Sequence, residues 1–146
     1  MKTIAMRFSE NFAPDIGTVA AHQKIIDSLG YCWYGKLGSP ISNNVANDIL
    51  KYKDPRVLLI HSGKQEGYWM YISEVTRDLP PLNEIPDYYR DASDKFKSWF
   101  KVKAFLKAPS GIMSQCVVIS SKSTLSEASK HSMSPYFIID FEEANP

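Results

Sequence analysis

Three tryptophans sit in short segments whose neighbours could recognise a flat ring: Cys32-Trp33-Tyr34-Gly35-Lys36, Trp69-Met70-Tyr71 and Trp99-Phe100-Lys101. A fourth segment, His61-Ser62, adds an imidazole and a hydroxyl. Strands that display Trp and Tyr beside Lys, Ser and His can wall a pocket with aromatic faces and offer it a few polar contacts, which is the chemistry that holds a nucleobase. Stacking one base on such a face contributes about 1–3 kcal/mol. The candidate ring-binding residues are Trp33, Tyr34, His61, Ser62, Trp69, Tyr71 and Trp99, and the candidate phosphate contacts are Lys36, Lys97, Lys101 and Lys103. Trp69 and Tyr71 are two residues apart and share one strand face, opposite Tyr68, Met70 and Ile72, which look like core. Each aromatic has a second reading as core packing, and His61 could simply cap a sheet. Alternation alone does not say which face of a strand points inward.

Charge is distributed unevenly although the net charge is only +1. Residues 95–132 carry Lys95, Lys97, Lys101, Lys103, Lys107, Lys122 and Lys130 against Glu127 alone, and the chain then turns acidic at Asp140, Glu142 and Glu143. A basic segment within a neutral chain suits a local phosphate-facing surface, or a solvated face kept for solubility.

Other chemistries find less support. The sequence has no G-x-S-x-G elbow, Walker loop or HExxH motif. It has no CxxC and no His/Cys cluster at metal-ligand spacing, so no metal and no cofactor are expected. Cys32 and Cys116 each lie in an apolar run and read as buried thiols of a reducing cytoplasm, not as a disulfide. No apolar run approaches the roughly 20 residues that span a bilayer, and Arg7 and Glu10 interrupt any secretion-signal core; a cytoplasmic protein with no membrane partner is expected.

The 146 residues suit one domain over residues 1–146, with no linker to divide it. Lys2–Phe8 alternates as a first strand, Asn11–Gly17 reads as loop, and Thr18 can cap a helix that buries Val19, His22, Ile26 and Leu29 and stops at Gly30. Tyr31–Lys36 is strand-like, and Ser42 can cap a short helix over Asn43–Lys51. Val57–Ser62 reads as a central strand, with Tyr68–Val75 as its hairpin partner. Pro80, Pro81 and Pro86 rule out long regular structure over residues 79–91. Lys97–Leu106 alternates with Trp99, Lys101, Lys103 and Phe105 on one face and Phe100, Val102, Ala104 and Leu106 on the other. Gln115–Ser120 and Tyr136–Phe141 complete the strands, and Ser123–Lys130 is a short polar helix or turn. The pattern predicts an α+β fold: a mainly antiparallel sheet of about six strands, barrel-like, with two or three helices.

In this order the segments resemble the PUA-like superfamily and, within it, EVE and YTH-related domains. Leu58-Leu59-Ile60-His61-Ser62 is similar to the hydrophobic-Tyr-His-Ser end of an EVE strand, with Ile60 where that family often has Tyr. Gly67–Val75, Trp99-Phe100-Lys101-Val102 and Lys130-His131-Ser132-Met133-Ser134-Pro135 resemble the pieces that follow. The resemblance covers roughly residues 30–140 and leaves residues 1–29 as an N-terminal strand-and-helix extension. It implies a small, mainly antiparallel β-barrel or strongly curved sheet. It also implies a non-enzymatic reader that flips a modified base of DNA or RNA into an aromatic cage, attached in some systems to a restriction or other defence effector. ASCH relatives include ribonucleases, which would make His61, Lys36 and Tyr71 acid–base candidates. A protein-interaction domain is the third expectation.

Overall fold

The protein, described by a computed structural model over residues 1–8, 10 and 13–142, places its elements in the order β1 (Lys2–Phe8), α1 (Thr18–Leu29), β2 (Cys32–Leu37), α2 (Asn43–Leu50), β3 (Arg56–His61), β4 (Gly67–Thr76), β5 (Phe96–Lys107), α3 (Ile112–Gln115), β6 (Val117–Val118), α4 (Leu125–His131) and β7 (Tyr136–Asp140). Two 3-10 segments, Leu82–Glu84 and Asp87–Lys95, fill the proline-rich stretch between β4 and β5. The strands form one seven-stranded sheet in the order β2-β5-β4-β3-β1-β7-β6. Only β1 and β3 run parallel; every other pairing is antiparallel. The fold is α+β, as the patterning predicts.

The sheet is strongly curved. One core cluster unites Ile4, Met6 and Phe8 of β1 with Cys32 and Tyr34 of β2, although three strands lie between β1 and β2. A flat sheet would hold those strands about 19 Å apart at the usual inter-strand spacing. Farther round, Lys36 Nζ of β2 sits 5.1 Å from the ring centroid of Tyr136 in β7. No ladder joins β2 to β6 among the described residues, so the sheet curls without closing into a barrel. The concave side, which also holds Leu59, Met70, Ile72, Phe100 and Val102, is sealed by α1 and α2. The convex side is buried too. Trp69, Leu58 and Ile60 pack there under α3 and α4, while Trp33 and Trp99 pack with Ile85 and Tyr89 of the proline-rich stretch.

Several details depart from the sequence pattern for identifiable reasons. Four α-helices form, not two or three, because Ile112–Gln115 makes a one-turn helix after Pro109-Ser110-Gly111. That helix takes Gln115 from the strand expected over Gln115–Ser120, leaving only Val117 and Val118 to pair with β7. Thr124 caps α4 by accepting from Glu127 N at 3.2 Å, and Ser42 caps α2 by accepting from Val45 N at 3.2 Å. Helix α1 is not capped by Thr18. Its N-cap is Gly17 at φ 94°, and the Glu10 carboxylate accepts from Thr18 N at 2.9 Å. The buried stripe of α1 runs through Thr18, Ala21 and His22, while Leu29 is exposed. Asn11 and Phe12 of the expected Asn11–Gly17 loop, and the acidic Glu143, lie outside the described residues.

In β5 the alternation holds only as far as Val102. Tyr71 pairs with Ala104 but Ile72 pairs with Val102, so Lys103 is left over as a bulge. One extra residue reverses the faces beyond it, and Phe105 packs with Phe100 and Val102 on the concave side, not with Trp99. Strand β1, the start of the expected N-terminal extension, lies inside the sheet between β3 and β7. Periodicity identifies a strand but carries no information about its partners.

Candidate functional site

Where the end of β1, the first turn of α1, the second half of β2 and the Asp87–Lys95 segment meet, a cavity of about 590 Å³ opens. The period of β2 turns Tyr34 and Lys36 toward the same side, into this cavity. Pro86, with φ −59° and ψ 146°, leads into the 3-10 segment. That segment delivers Tyr88 and Tyr89, and Phe96 at the start of β5 completes the aromatic wall. Tyr89 is the hub: its ring centroid lies 4.5 Å from Phe96, 4.7 Å from Tyr88 and 5.1 Å from His22. His22 stacks at a tilt on Tyr34, 5.0 Å away.

His22 is fully buried behind this wall. Burial lowers its pKa to about 4, so the ring is neutral near pH 7. Its Nδ1 carries the proton, donated to the Thr18 carbonyl at 2.8 Å, and Nε2 is a buried acceptor with no partner among the described residues. Burial also raises the tyrosine hydroxyls, Tyr34 to beyond the ordinary range and Tyr89 likewise. The wall therefore stays uncharged across physiological pH.

The polar part of the cavity is cationic. Lys36 is 5% exposed; its Nζ donates to the carbonyls of Ser39 at 2.7 Å and Leu37 at 3.1 Å. Burial lowers the Lys36 pKa. Arg7 belongs to the same stretch of β1, but its guanidinium is turned to the convex side, where Nη2 donates to the carbonyls of Ser129 and Ser132 at 2.8 and 2.7 Å beside the Phe137 ring. Lys95 and Ser62 add an ammonium and a hydroxyl.

Of the residues expected from the sequence, Tyr34, Lys36 and Ser62 line this cavity. His61 stands beside it, with Nδ1 2.9 Å from the Ser62 carbonyl and its ring 4.9 Å from Phe8. Trp33 lies on the convex side, where its Nε1 donates to Glu84 at 3.1 Å. Trp99 is buried with it. Lys101 lies over the Tyr31 ring at 4.5 Å and the Trp33 ring at 6.0 Å. Lys97 and Lys103 are exposed on β5. Trp69 and Tyr71 are not brought to the cavity: they hold the Arg56 guanidinium at 5.1 and 5.5 Å, together with Phe141. Trp69 and Tyr71 thus share one face of β4, and the side chain held there is the chain's own Arg56.

Phe8, Tyr88, Tyr89, Phe96, Arg7 and Lys95 line the cavity without having been legible as site residues. The one available signal was an adjacent tyrosine pair directly after Pro86, in a stretch too proline-rich for a strand. Gly35 fits the wall for a steric reason. A Cβ there would stand 2.7 Å from Phe96 Cδ1 and 2.9 Å from Trp99 Cζ3. Gly35→Ala is expected to lower stability by about 1–3 kcal/mol through overpacking and to shift Phe96, read by urea denaturation and by the loss of whatever ligand affinity the wild type has.

No group of three or more His, Cys, Asp and Glu side chains among the described residues is placed to hold a metal ion. Cys32 and Cys116 are both free and buried, and burial raises their thiols to about 12 and about 11, far from a reactive thiolate. No helix among the described residues is long and apolar enough to cross a membrane.

A curved mixed sheet with an aromatic, cation-edged cavity defines a class, and comparison with known families agrees. The chain belongs to the Pua-like family, whose profile matches residues 4–143. That is a family whose members often bind nucleic acid. The matched span takes in α1 and all but the first two residues of β1. No curated protein and no solved structure matches the chain.

Proposed function

We propose that this Pua-like domain is a reader of EVE or YTH type, which takes a single modified nucleobase of DNA or RNA into the cavity between Tyr34, Tyr88, Tyr89 and Phe96. A paired base must be flipped out of its stack, or already be single-stranded, to enter. Lys36 and Lys95 at the cavity, with Lys97 and Lys103 on the exposed part of β5, contact the phosphates. The domain binds and does not cleave, and it serves in the cytoplasm as the sensor of a restriction or other defence system, beside an effector domain or protein partner.

The observation that carries this reading is the cavity: about 590 Å³, within the range of roughly 300–1,000 Å³ typical of ligand pockets, walled by aromatic rings and edged by cations. The ribonuclease alternative needs His61, Lys36 and Tyr71 to converge on one phosphate. Tyr71 packs against Arg56 on the convex side, whereas Lys36 lines the cavity of the concave side, which supports binding over cleavage.

The test is fluorescence anisotropy with single-stranded and duplex oligonucleotides carrying methylated, hydroxymethylated or unmodified bases, at rising salt. The expected result is a preference for one modification that persists as a ratio while overall affinity falls steeply with salt. Tyr88→Ala is expected to weaken the preferred ligand about tenfold or more, given the usual worth of stacking on one ring, with an unchanged circular dichroism spectrum. Equal binding of all oligonucleotides, untouched by Tyr88→Ala, would sink the reading, and so would cleavage products on a gel.

A further inference from the structure

Charge balance at the cavity leads past the base alone. Among the described residues that line it, Lys36 and Lys95 bring cations to the cavity and no Asp or Glu is present. The nearby carboxylate of Glu10 is tied to Thr18 N at the start of α1. Lys36 has no carboxylate partner among the described residues: its contacts are two carbonyls and the face of Tyr136. An ammonium has three N–H donors, and those two carbonyls leave one unclaimed. The Arg7 guanidinium takes no part in this: it is turned to the convex side, where Nη2 donates to the carbonyls of Ser129 and Ser132 and the group lies over the Phe137 ring.

A buried cation with no counter-charge is costly unless an anion completes it. Surface lysines avoid that cost by staying in water, yet Lys36 is 5% exposed. Its position relative to the aromatic wall is equally telling. Tyr34 and Lys36 are alternate residues of β2, so their Cα atoms stand about 6.8 Å apart along one strand face. One strand face thus presents a ring and an ammonium to the same cavity.

We propose that the cavity is a complete site for a mononucleotide, with the ring against Tyr34 and Tyr89 and the phosphate on Lys36, so that a free nucleoside 5′-monophosphate binds without a surrounding strand. The inference rests on the base-reading function proposed above and goes beyond it: the domain would respond to nucleotide monomers as well as to a flipped base. The unclaimed Lys36 donor inside the cavity recognises the phosphate, which makes the anion a requirement for binding and not an accessory on the rim.

Titration of the full chain with the four ribonucleoside and four deoxyribonucleoside 5′-monophosphates, the matching nucleosides and inorganic phosphate, followed by amide chemical shifts, tests this. At least one monophosphate is expected to saturate at one per chain and to bind at least tenfold tighter than its nucleoside, shifting Tyr34, Gly35 and Tyr89. Lys36→Met is expected to bring that monophosphate down to the level of the nucleoside, whereas a change at the exposed Lys53, Lys53→Ala, leaves the difference intact. If Lys36→Met does not fold, the wild-type ratio of monophosphate to nucleoside still decides. A ratio near one overturns the inference. Oligonucleotide binding with no monophosphate binding overturns it and leaves the reader function standing; absence of both removes the two together.

Discussion

Trp69→Ala is expected to lower the stability of the protein by about 3–5 kcal/mol, the usual cost of deleting a buried Trp or Phe, without changing the affinity of whatever fraction remains folded. Trp69 is 5% exposed and packs with Phe141, the ring centroids 4.7 Å apart. It also covers Arg56 at 5.1 Å, so truncation opens a cavity and uncovers a guanidinium at once. The cluster it supports, with Leu58, Ile60 and Ile112, lies on the convex side of the sheet, away from the base cavity. Urea denaturation followed by far-ultraviolet circular dichroism measures the loss. A Trp69→Ala protein with an unchanged midpoint that no longer binds oligonucleotide would return this residue to the ring-binding set.

The difficulty with Trp69 illustrates what patterning can and cannot supply. Alternation correctly put Trp69 and Tyr71 on one face of β4 and Tyr68, Met70 and Ile72 on the other. Its second step, from face to exposure, assumes a sheet with one dry side. This sheet is dry on both, so the aromatics of either face are core and alternation loses its power to separate pocket from packing. The same limit applies to Trp33 and Trp99, which the Leu82–Glu84 and Asp87–Lys95 segments cover from outside. Strands β1 to β4 and helices α1 and α2 were legible because their periods and stop signals are local. The bulge at Lys103 was not, since it depends on how β5 meets β4. The cavity was legible only in part: Tyr34, Lys36 and Ser62 come from ordered strands or their ends, whereas Tyr88 and Tyr89 come from a proline-rich stretch whose path is set by tertiary contacts.

Stability is expected to fall by about 3 kcal/mol in all as the pH drops from 6.5 to 4 because of His22 alone. In the folded protein burial lowers its pKa from 6.5 to about 4. The unfolded chain therefore binds a proton at pH values where the native chain does not, and acid favours unfolding throughout that window. Above pH 6.5 both states are neutral and the contribution is fully present; below about 4 both are protonated and the loss is complete. Comparing wild type with His22→Phe removes the background from carboxylates, which titrate in both proteins. Phenylalanine keeps the ring against Tyr34 and Tyr89 and gives up only the hydrogen bond to Thr18 O. The variant is expected to show the shallower dependence of its urea midpoint between pH 4 and 6.5, and identical slopes would refute the assignment. Because His22 supports two walls of the cavity, ligand affinity should weaken over the same window in the wild type.

The place of β1 has a consequence for how the chain reaches this fold. Its neighbours are β3 on one side and β7 on the other, with Ala5 opposite Leu58 and Lys2 opposite Asp140. Within the described residues β1 is synthesised before every other strand, and its second partner, β7, after every other strand. Until then the apolar Ile4, Met6 and Phe8 have half a sheet to pair with, and the parallel β1–β3 ladder must close a long loop before it gains a hydrogen bond. Local pieces such as the β3–β4 hairpin can form early, but the centre of the sheet cannot be completed before β7 has emerged. Folding of the domain should therefore be slow, with a rate set by topology, and a nascent chain arrested before residue 136 should remain sensitive to protease across β1.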